Sequence, residues 1–318
     1  MTPMIEAARM RGEPTLRAVI DTLADAFVDL SAGRAQSPPR TLVQHSGGLS
    51  ELLISPAAWG PRRLAAVKIT TLTPDNPGRG LPLIHGIVVL TELATGRIVA
   101  LLDGAELTAL RTGAAAAIAT RLCARPEAAE LAIIGAGVQA RALVRAISVV
   151  RPIDSVRLWS RTRARAEDFA EWIPANVGRP ARITVCDSAF EAVRDAEVIC
   201  TATATGDRAP LLAADWIAPG AHLNVIGGIH EHALEIDPAL LKSALVTVEE
   251  RRAAQEEAGE IRAALAQGLI ESRDLHELGT LLRDPPATAP GRTTVYRSVG
   301  LAIEDTAAAA AIYQEHHP

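Results

Sequence analysis

Three features of the chain predict an α/β fold of two domains, a Rossmann-type doubly wound unit and a second, α+β unit. The run Leu131-Ala132-Ile133-Ile134-Gly135-Ala136-Gly137-Val138-Gln139-Ala140 reads as a short buried strand turning through G-x-G-x-x-A into a helix. Downstream, strand-like and helix-like stretches alternate, as a parallel sheet covered on both faces requires. Upstream lies a series of short strand-like runs separated by turn signals, which gives an antiparallel or mixed sheet instead.

In chain order, Leu16, Val19, Ile20, Leu23, Ala26 and Phe27 recur at helical spacing and give an amphipathic helix over 15–30 that ends before Gly33. After Ser37-Pro38-Pro39, strands are expected at 41–44, 51–54, 64–71, 83–90 and 98–102, with turns at Gly47-Gly48, 74–78 and Thr95-Gly96. A small-residue helix over 108–124 stops at Arg125-Pro126 and leads into the Leu131 strand. Beyond it come strands at 156–159, 183–185, 198–203, 222–226 and 244–248, with a helix near 189–193. Residues 293–297 read as a strand and 303–313 as a helix able to return to the first domain. The expected domains are therefore 1–120 with 291–318, and 121–290 inserted between them.

The glycine turn points to a dinucleotide. Gly135 permits the turn, Gly137 keeps a side chain out of the path of the phosphates, and Ala140 lets helix and strand approach closely. Val138 and Gln139 open the helix whose N-terminus would face the pyrophosphate, and Thr203 ends a later strand of the same sheet. After the second strand, where an NAD site usually has an acidic residue, the chain reads Ser160-Arg161-Thr162-Arg163-Ala164-Arg165. Arginines and hydroxyls suit a 2′-phosphate, so NADP(H) is the expected cofactor and NAD(H) the alternative.

A net charge of -5 over 318 residues gives no electrostatic case for nucleic acid or an anionic membrane. Cys123, Cys186 and Cys200 lack metal-ligand spacing and sit beside apolar residues, as in a reducing compartment. Charges at Glu6, Arg9, Arg11 and Glu13 interrupt any signal-like run, so a cytoplasmic location is expected.

Several ordered segments resemble one family across nearly the whole chain. They are Lys68-Ile69-Thr70, the run 101–115 containing Leu110-Arg111-Thr112-Gly113, Ile134–Ala140, Glu257-Ala258-Gly259-Glu260 and Ser298–Asp305. Together they resemble the ornithine cyclodeaminase/mu-crystallin family. The resemblance implies an NAD(P)-dependent enzyme acting on C–N or C=N bonds of a small amino or imino acid, and a homodimer paired through the substrate domain. It also implies that Arg40, Lys68 and Arg111 are the substrate-binding cations. A substrate carboxylate would satisfy cations at such positions, the alternative for Arg111 being a salt bridge to Asp103 or Glu106.

One segment departs from the cyclodeaminase pattern G-A-D-x-P-G-K-x-E-L: here it is Gly227-Gly228-Ile229-His230-Glu231-His232-Ala233-Leu234-Glu235-Ile236. Ile229 replaces an aspartate that handles the substrate amine, and isoleucine neither accepts a proton nor holds an ammonium group. Reduction of a ready-made C=N bond asks for less: hydride at the imine carbon, a clamp for the carboxylate and a proton donor, for which Lys68, His85 and His230 are the candidates. The expected activity is NADPH-dependent reduction of a small imino acid, such as a pyrroline- or piperideine-2-carboxylate or a ketimine, to an L-amino acid. Ornithine cyclodeamination with NAD, amino-acid dehydrogenation of the alanine type, and a mu-crystallin-like NADPH-binding role with little catalysis are the alternatives. His230, His232 and Glu231 lack a fourth ligand for zinc, and no metal site is expected.

Overall fold

The computed structural model describes residues 2–44, 50–178, 180, 182–204, 209–228, 232–285 and 291–316. The chain forms two compact units, Met1–Ala115 with Gly300–Pro318, and Ala116–Val299.

The first unit is built on one mixed sheet. Its strands are β1 (Met4–Ile5), β2 (Ala35–Gln36), β3 (Thr41–Gln44), β4 (Glu51–Trp59), β5 (Leu64–Leu72), β6 (Ile84–Glu92) and β7 (Ile98–Asp103), with helix α1 (Glu13–Ser31) between β1 and β2. The order is β1-β7-β6-β5-β4-β2, with β3 also on β4, and only the β1–β7 pair is parallel. Register decides which side chains share a face, because opposed residues point the same way and the period is two. The row Ser55, Lys68, Val88, Leu102 lies on the buried face, and the neighbouring row Ile54, Ile69, Ile87 lies on the other. Strand β4 runs five residues beyond the expected 51–54, since Pro56 stands where the apolar alternation continues on either side. Helix α2 (Gly104–Cys123) starts four residues earlier than expected, because Asp103 Oδ1 accepts from the Glu106 N–H at 2.8 Å and caps it. The division between the units falls within this helix.

The second unit is a doubly wound sheet. In chain order it comprises β8 (Glu130–Ile134), α3 (Val138–Val150), β9 (Ser155–Trp159), α4 (Arg163–Val177), β10 (Arg182–Val185), α5 (Ala189–Val193), β11 (Val198–Thr201) and β12 (His222–Val225). There follow β13 (Leu245–Val248), α6 (Arg251–Glu257), α7 (Gly259–Ala266), β14 (Leu275–Glu277), α8 (Leu278–Arg283) and β15 (Thr294–Arg297). The order β10-β9-β8-β11-β12-β15-β13-β14 is parallel throughout. Every residue of β11, β12, β13 and β15 is buried, as in a sheet covered on both faces. This corrects the expected boundary at residue 291: β15 is inserted between β12 and β13, and its ladder bonds hold it in the nucleotide unit.

Helix α9 (Ala302–His316) then completes the first unit, packing on α1 and on β4, β5 and β6. Its small residues are buried through Ile312. Among the described residues no helix is long and apolar enough to cross a membrane.

The interior of the second sheet contains a histidine that stays neutral. His222 Nδ1 lies 2.8 Å from Thr294 Oγ1, and its Nε2 lies 3.3 Å from Asn224 Oδ1. Asn224 Nδ2 donates to Thr120 Oγ1 at 2.9 Å, so Oδ1 is left to accept; Nε2 therefore carries the proton and Nδ1 accepts from the threonine hydroxyl. Burial pushes the His222 pKa down from 6.5 to about 3. The unfolded chain accordingly binds a proton that the folded chain does not between those values, and stability falls as pH drops through that window. Urea titrations should lose up to about 1.4 kcal/mol per pH unit there from this group, and His222→Gln should flatten the dependence.

Candidate active site

The carboxyl end of β8 cannot carry a side chain at its first turn residue. Gly135 has φ +121°, and a Cβ there would lie 2.5 Å from Ala202 O. The turn is pinned on both sides, by Gly135 N–H to Trp159 O and by Ala202 N–H to Ile134 O, each 2.8 Å. Gly137 differs, because no atom lies within 4 Å of the place a Cβ would take. It is the N-cap of α3 and supplies no side-chain cap, so the N–H groups of the first turn are left for a ligand. Ala140 is fully buried, as close helix–strand packing requires.

From β8 the chain winds one way to β9 and β10 and the other way to β11, which makes the gap between β8 and β11 a topological switch point. A cavity of ≈ 270 Å³ opens there. Its floor is Gly135, Ala136 and Gly137; one wall is Trp159, Ser160, Arg161, Thr162 and Arg165; the other is Ala202, Thr203, Ala204 and Leu211. Val138 and Gln139 open α3 but their side chains are not in the lining, and Val138 is exposed. Arg163, in the middle of the basic run, turns to Glu167 at 2.8 Å and to Asp187. The glycine floor, the open helix N-terminus and the hydroxyl-bearing wall fit a dinucleotide.

The Thr203 wall rests on a buried carboxylate to which the sequence reading gave no role. Glu235, fully buried, accepts from Thr203 N (2.8 Å), Thr203 Oγ1 (2.7 Å), Thr201 Oγ1 (2.7 Å) and Gly227 N (2.6 Å). Desolvation raises its pKa, and the threonine hydrogen bonds pull it back down. Its own N–H donates to Glu260 Oε1 at 2.7 Å, and Glu260 Oε2 accepts from Arg297 Nε at 2.7 Å. Its signals in the sequence are a lone carboxylate in the apolar run Leu234-Glu235-Ile236 and its place on the Glu of the G-A-D-x-P-G-K-x-E-L pattern.

The first unit holds the predicted substrate cations. Lys68 Nζ reaches Asp305 Oδ2 at 2.8 Å and Oδ1 at 3.0 Å, and Thr108 Oγ1 at 3.3 Å. Arg111 reaches Glu304 Oε2 through Nη1 at 2.9 Å and Asp305 Oδ1 through Nε at 3.3 Å. Both cations are therefore balanced by carboxylates of α9, partners that the sequence reading did not name. The alternative partners of Arg111 are also otherwise engaged, since Asp103 caps α2 and Glu106 pairs with Arg11 at 2.9 Å. Burial lowers the Lys68 pKa and contact with Asp305 opposes the shift.

Arg40 is exposed and donates to Gly300 O at 3.3 Å. That glycine, at φ +75°, abuts Arg111, whose Nη1 would lie 2.7 Å from an added Cβ. His85 is not brought to this cluster. It lies opposite Thr71, on the face of the sheet away from Lys68, and is exposed. His230, with Ile229 and Glu231, lies outside the described residues. Among the described residues no group of three His, Cys, Asp or Glu side chains could hold a metal ion.

Comparison with known proteins gives the setting. The model of the ornithine cyclodeaminase/mu-crystallin family matches residues 1–317. The chain is 33% identical over 316 residues to a Delta(1)-pyrroline-2-carboxylate reductase of Bacillus cereus, covering 98% of this chain and 96% of the relative. Among solved structures it resembles Thermococcus litoralis Delta(1)-pyrroline-2-carboxylate reductase in complex with NADH and L-proline, with TM-score 0.91, 30% identity and coverage of 99% and 98%. An archaeal alanine dehydrogenase dimer with bound NAD has TM-score 0.88 and 28% identity, over 98% of this chain and 95% of that one. These two structures hold NADH and NAD, which overturns the expectation that NADP(H) is preferred. Of the basic run, Arg163 is taken up by Glu167 and Asp187, whereas Arg161 and Arg165 stand on the cavity wall beside Ser160 and Thr162, whose hydroxyls can serve ribose hydroxyls as readily as a phosphate. From end to end, this chain belongs to the ornithine cyclodeaminase/mu-crystallin family.

Proposed function

We propose that the protein is an NAD(H)-dependent reductase that converts a cyclic imino acid of the pyrroline-2-carboxylate type to the corresponding L-amino acid. The observation that carries this reading is full-length similarity to Delta(1)-pyrroline-2-carboxylate reductases, joined to a built dinucleotide cavity and a buried pair of cations. Ile229 standing where cyclodeaminases have aspartate argues against the ornithine route.

The charge of the Lys68 cluster favours such a substrate. Within the buried cluster Lys68 and Arg111 are matched by Glu304 and Asp305, and a protonated imine bearing a carboxylate, neutral overall, adds no net charge to it. Arg111 and Lys68 hold the carboxylate, with Arg40 at the rim, and the two α9 carboxylates favour the protonated nitrogen. A dinucleotide held by the Gly135–Gly137 turn and the Ser160–Thr162 and Ala202–Ala204 walls would supply the hydride needed at C2 of the imine. The nitrogen keeps its proton as the C=N bond becomes C–N, and the resulting secondary amine takes up one more. Lys68 suits that last transfer, since burial makes its ammonium a better acid and Asp305 beside it returns the charge balance. The other sheet face of the first unit, with Ile54, Val67, Ile69, Ile87, Val89 and Leu101, is the surface through which two copies pair.

With NADH and pyrroline-2-carboxylate the purified chain should consume the two in equal amounts and release proline; folded protein inert toward both this substrate and its six-membered analogue ends the reading. Arg111→Lys should lower kcat/KM by about 10–100-fold, chiefly through KM, the loss of roughly one charged hydrogen-bond pair. Gly137→Ala should leave the melting temperature within about 2 °C of wild type, since the site has room for a methyl group, yet weaken NADH binding by about 10-fold or more in calorimetry. Sedimentation should find a dimer in the wild type, and Ile69→Glu should shift it to monomer by placing a charge in that apolar face.

A further inference from the structure

We infer that Glu235 is a positioning residue for the dinucleotide, fixing the Thr203 wall of the cavity and, through Ala202, the glycine turn of its floor. The inference rests on the reading that this cavity holds NAD(H).

The carboxylate is completely buried and makes a symmetrical set of contacts. Oε1 accepts one backbone N–H and one hydroxyl, both from Thr203; Oε2 accepts the backbone N–H of Gly227 and the hydroxyl of Thr201. It thus ties the last residue of β11, the loop that follows it and the loop after β12 to one point. Gly227 is shaped to admit it, since a Cβ there would lie 2.3 Å from both Glu235 Oε1 and Thr203 O. The carboxylate is itself held, because its backbone N–H is bound by Glu260, which pairs with Arg297, and Arg297 Nη2 donates to Gly228 O at 3.2 Å.

Of the three residues bonded to the carboxylate, Thr203 is the one that lines the cavity. Ala202, Thr203 and Ala204 line it, whereas Thr201 is buried in the strand. The same stretch presses on the floor from the other side, as Ala202 O sits where a side chain on Gly135 would be. A shift of Thr203 therefore moves both the wall and the turn that faces the pyrophosphate, and small displacements of such groups weaken binding steeply.

The two threonines provide the test, because each gives a 2.7 Å hydroxyl bond to the same carboxylate and only Thr203 borders the ligand. NADH dissociation constants are measured by calorimetry for the wild type, Glu235→Met, Thr201→Val, Thr203→Val and the Glu235→Met/Thr203→Val double variant, alongside steady-state kinetics. Glu235→Met should weaken NADH binding by about 10-fold or more and Thr203→Val by about 5-fold, with Thr201→Val within about 2-fold of wild type. At saturating NADH, KM for the imino acid should stay within about 3-fold in each. Adding Thr203→Val to Glu235→Met should change binding by less than about 2-fold, since the two act through one contact. Equal effects of the two threonine variants, additive effects in the double variant, or unchanged NADH binding by folded Glu235→Met would overturn the inference. If Glu235→Met does not fold, the threonine pair decides alone. Wild-type protein that fails to bind NADH would instead bring down the cofactor reading, and this inference with it.

Discussion

Lys68 and Arg111 are buried against Glu304 and Asp305, and those carboxylates lie near the other end of the chain. A buried ion that loses its partner destabilises a fold by about 3–5 kcal/mol, a large share of what holds a domain together. The charges buried on β5 and α2 are therefore balanced only in a unit that includes α9. Its discontinuity in sequence follows from this chemistry: two cations from the early part of the unit need two anions that the chain supplies only after the whole nucleotide unit has been made. The first turn of α9 suits them, because acidic side chains there also face the positive end of the helix dipole.

The second unit meets the same constraint with different means. Arg297 is paired with Glu260, but Glu235 makes no ion pair among the described residues and is held by two backbone N–H groups and two hydroxyls. Neutral donors in fixed positions impose geometry as well as compensating charge, since a backbone N–H cannot turn away as a lysine can. Where the first unit balances charge with charge, the second uses a charge to set the backbone, and it does so at the carboxyl ends of the strands where a parallel sheet presents its ligand.

Much of this was legible in the residues. The strand–turn–helix at Leu131–Ala140 shows itself because the pattern is local: the glycines, the apolar run and the helical spacing are all within ten residues. The first sheet and its alternation were likewise local. What stayed hidden depends on contacts across long separations. The insertion of β15 between β12 and β13 is a choice of sheet position, which Thr294–Arg297 does not encode by itself. Lys68 and Arg111 could be named from motif resemblance, but their partners at Glu304 and Asp305 are about two hundred residues away and were not read as such. His85 was misplaced for a simpler reason, since its distance from Lys68 along the chain says nothing of which face it takes until the β5–β6 register is known. Within the arginine run after β9, Arg163 was legible as charge but its pairing was not, because Asp187, one of its partners, comes after the next strand.

Under the function proposed above, the neutrality of the buried Lys68 cluster bears on the reaction. An imino acid protonated on nitrogen and the amino acid formed from it carry the same net charge, so an electrically balanced site binds the two with similar strength. Such a site orients the reactant without pulling the equilibrium toward either side. The sensitive moment comes between them, when hydride has been added and the nitrogen is a neutral amine, leaving the bound molecule with its carboxylate uncompensated. A cation whose pKa burial has lowered is suited to that moment, because it releases a proton more readily than an exposed lysine does. An aspartate at position 229 would serve a reaction that must also expel ammonia; reduction alone has no leaving group to manage, and the isoleucine there is consistent with a site that needs only to steady a zwitterion and return one proton.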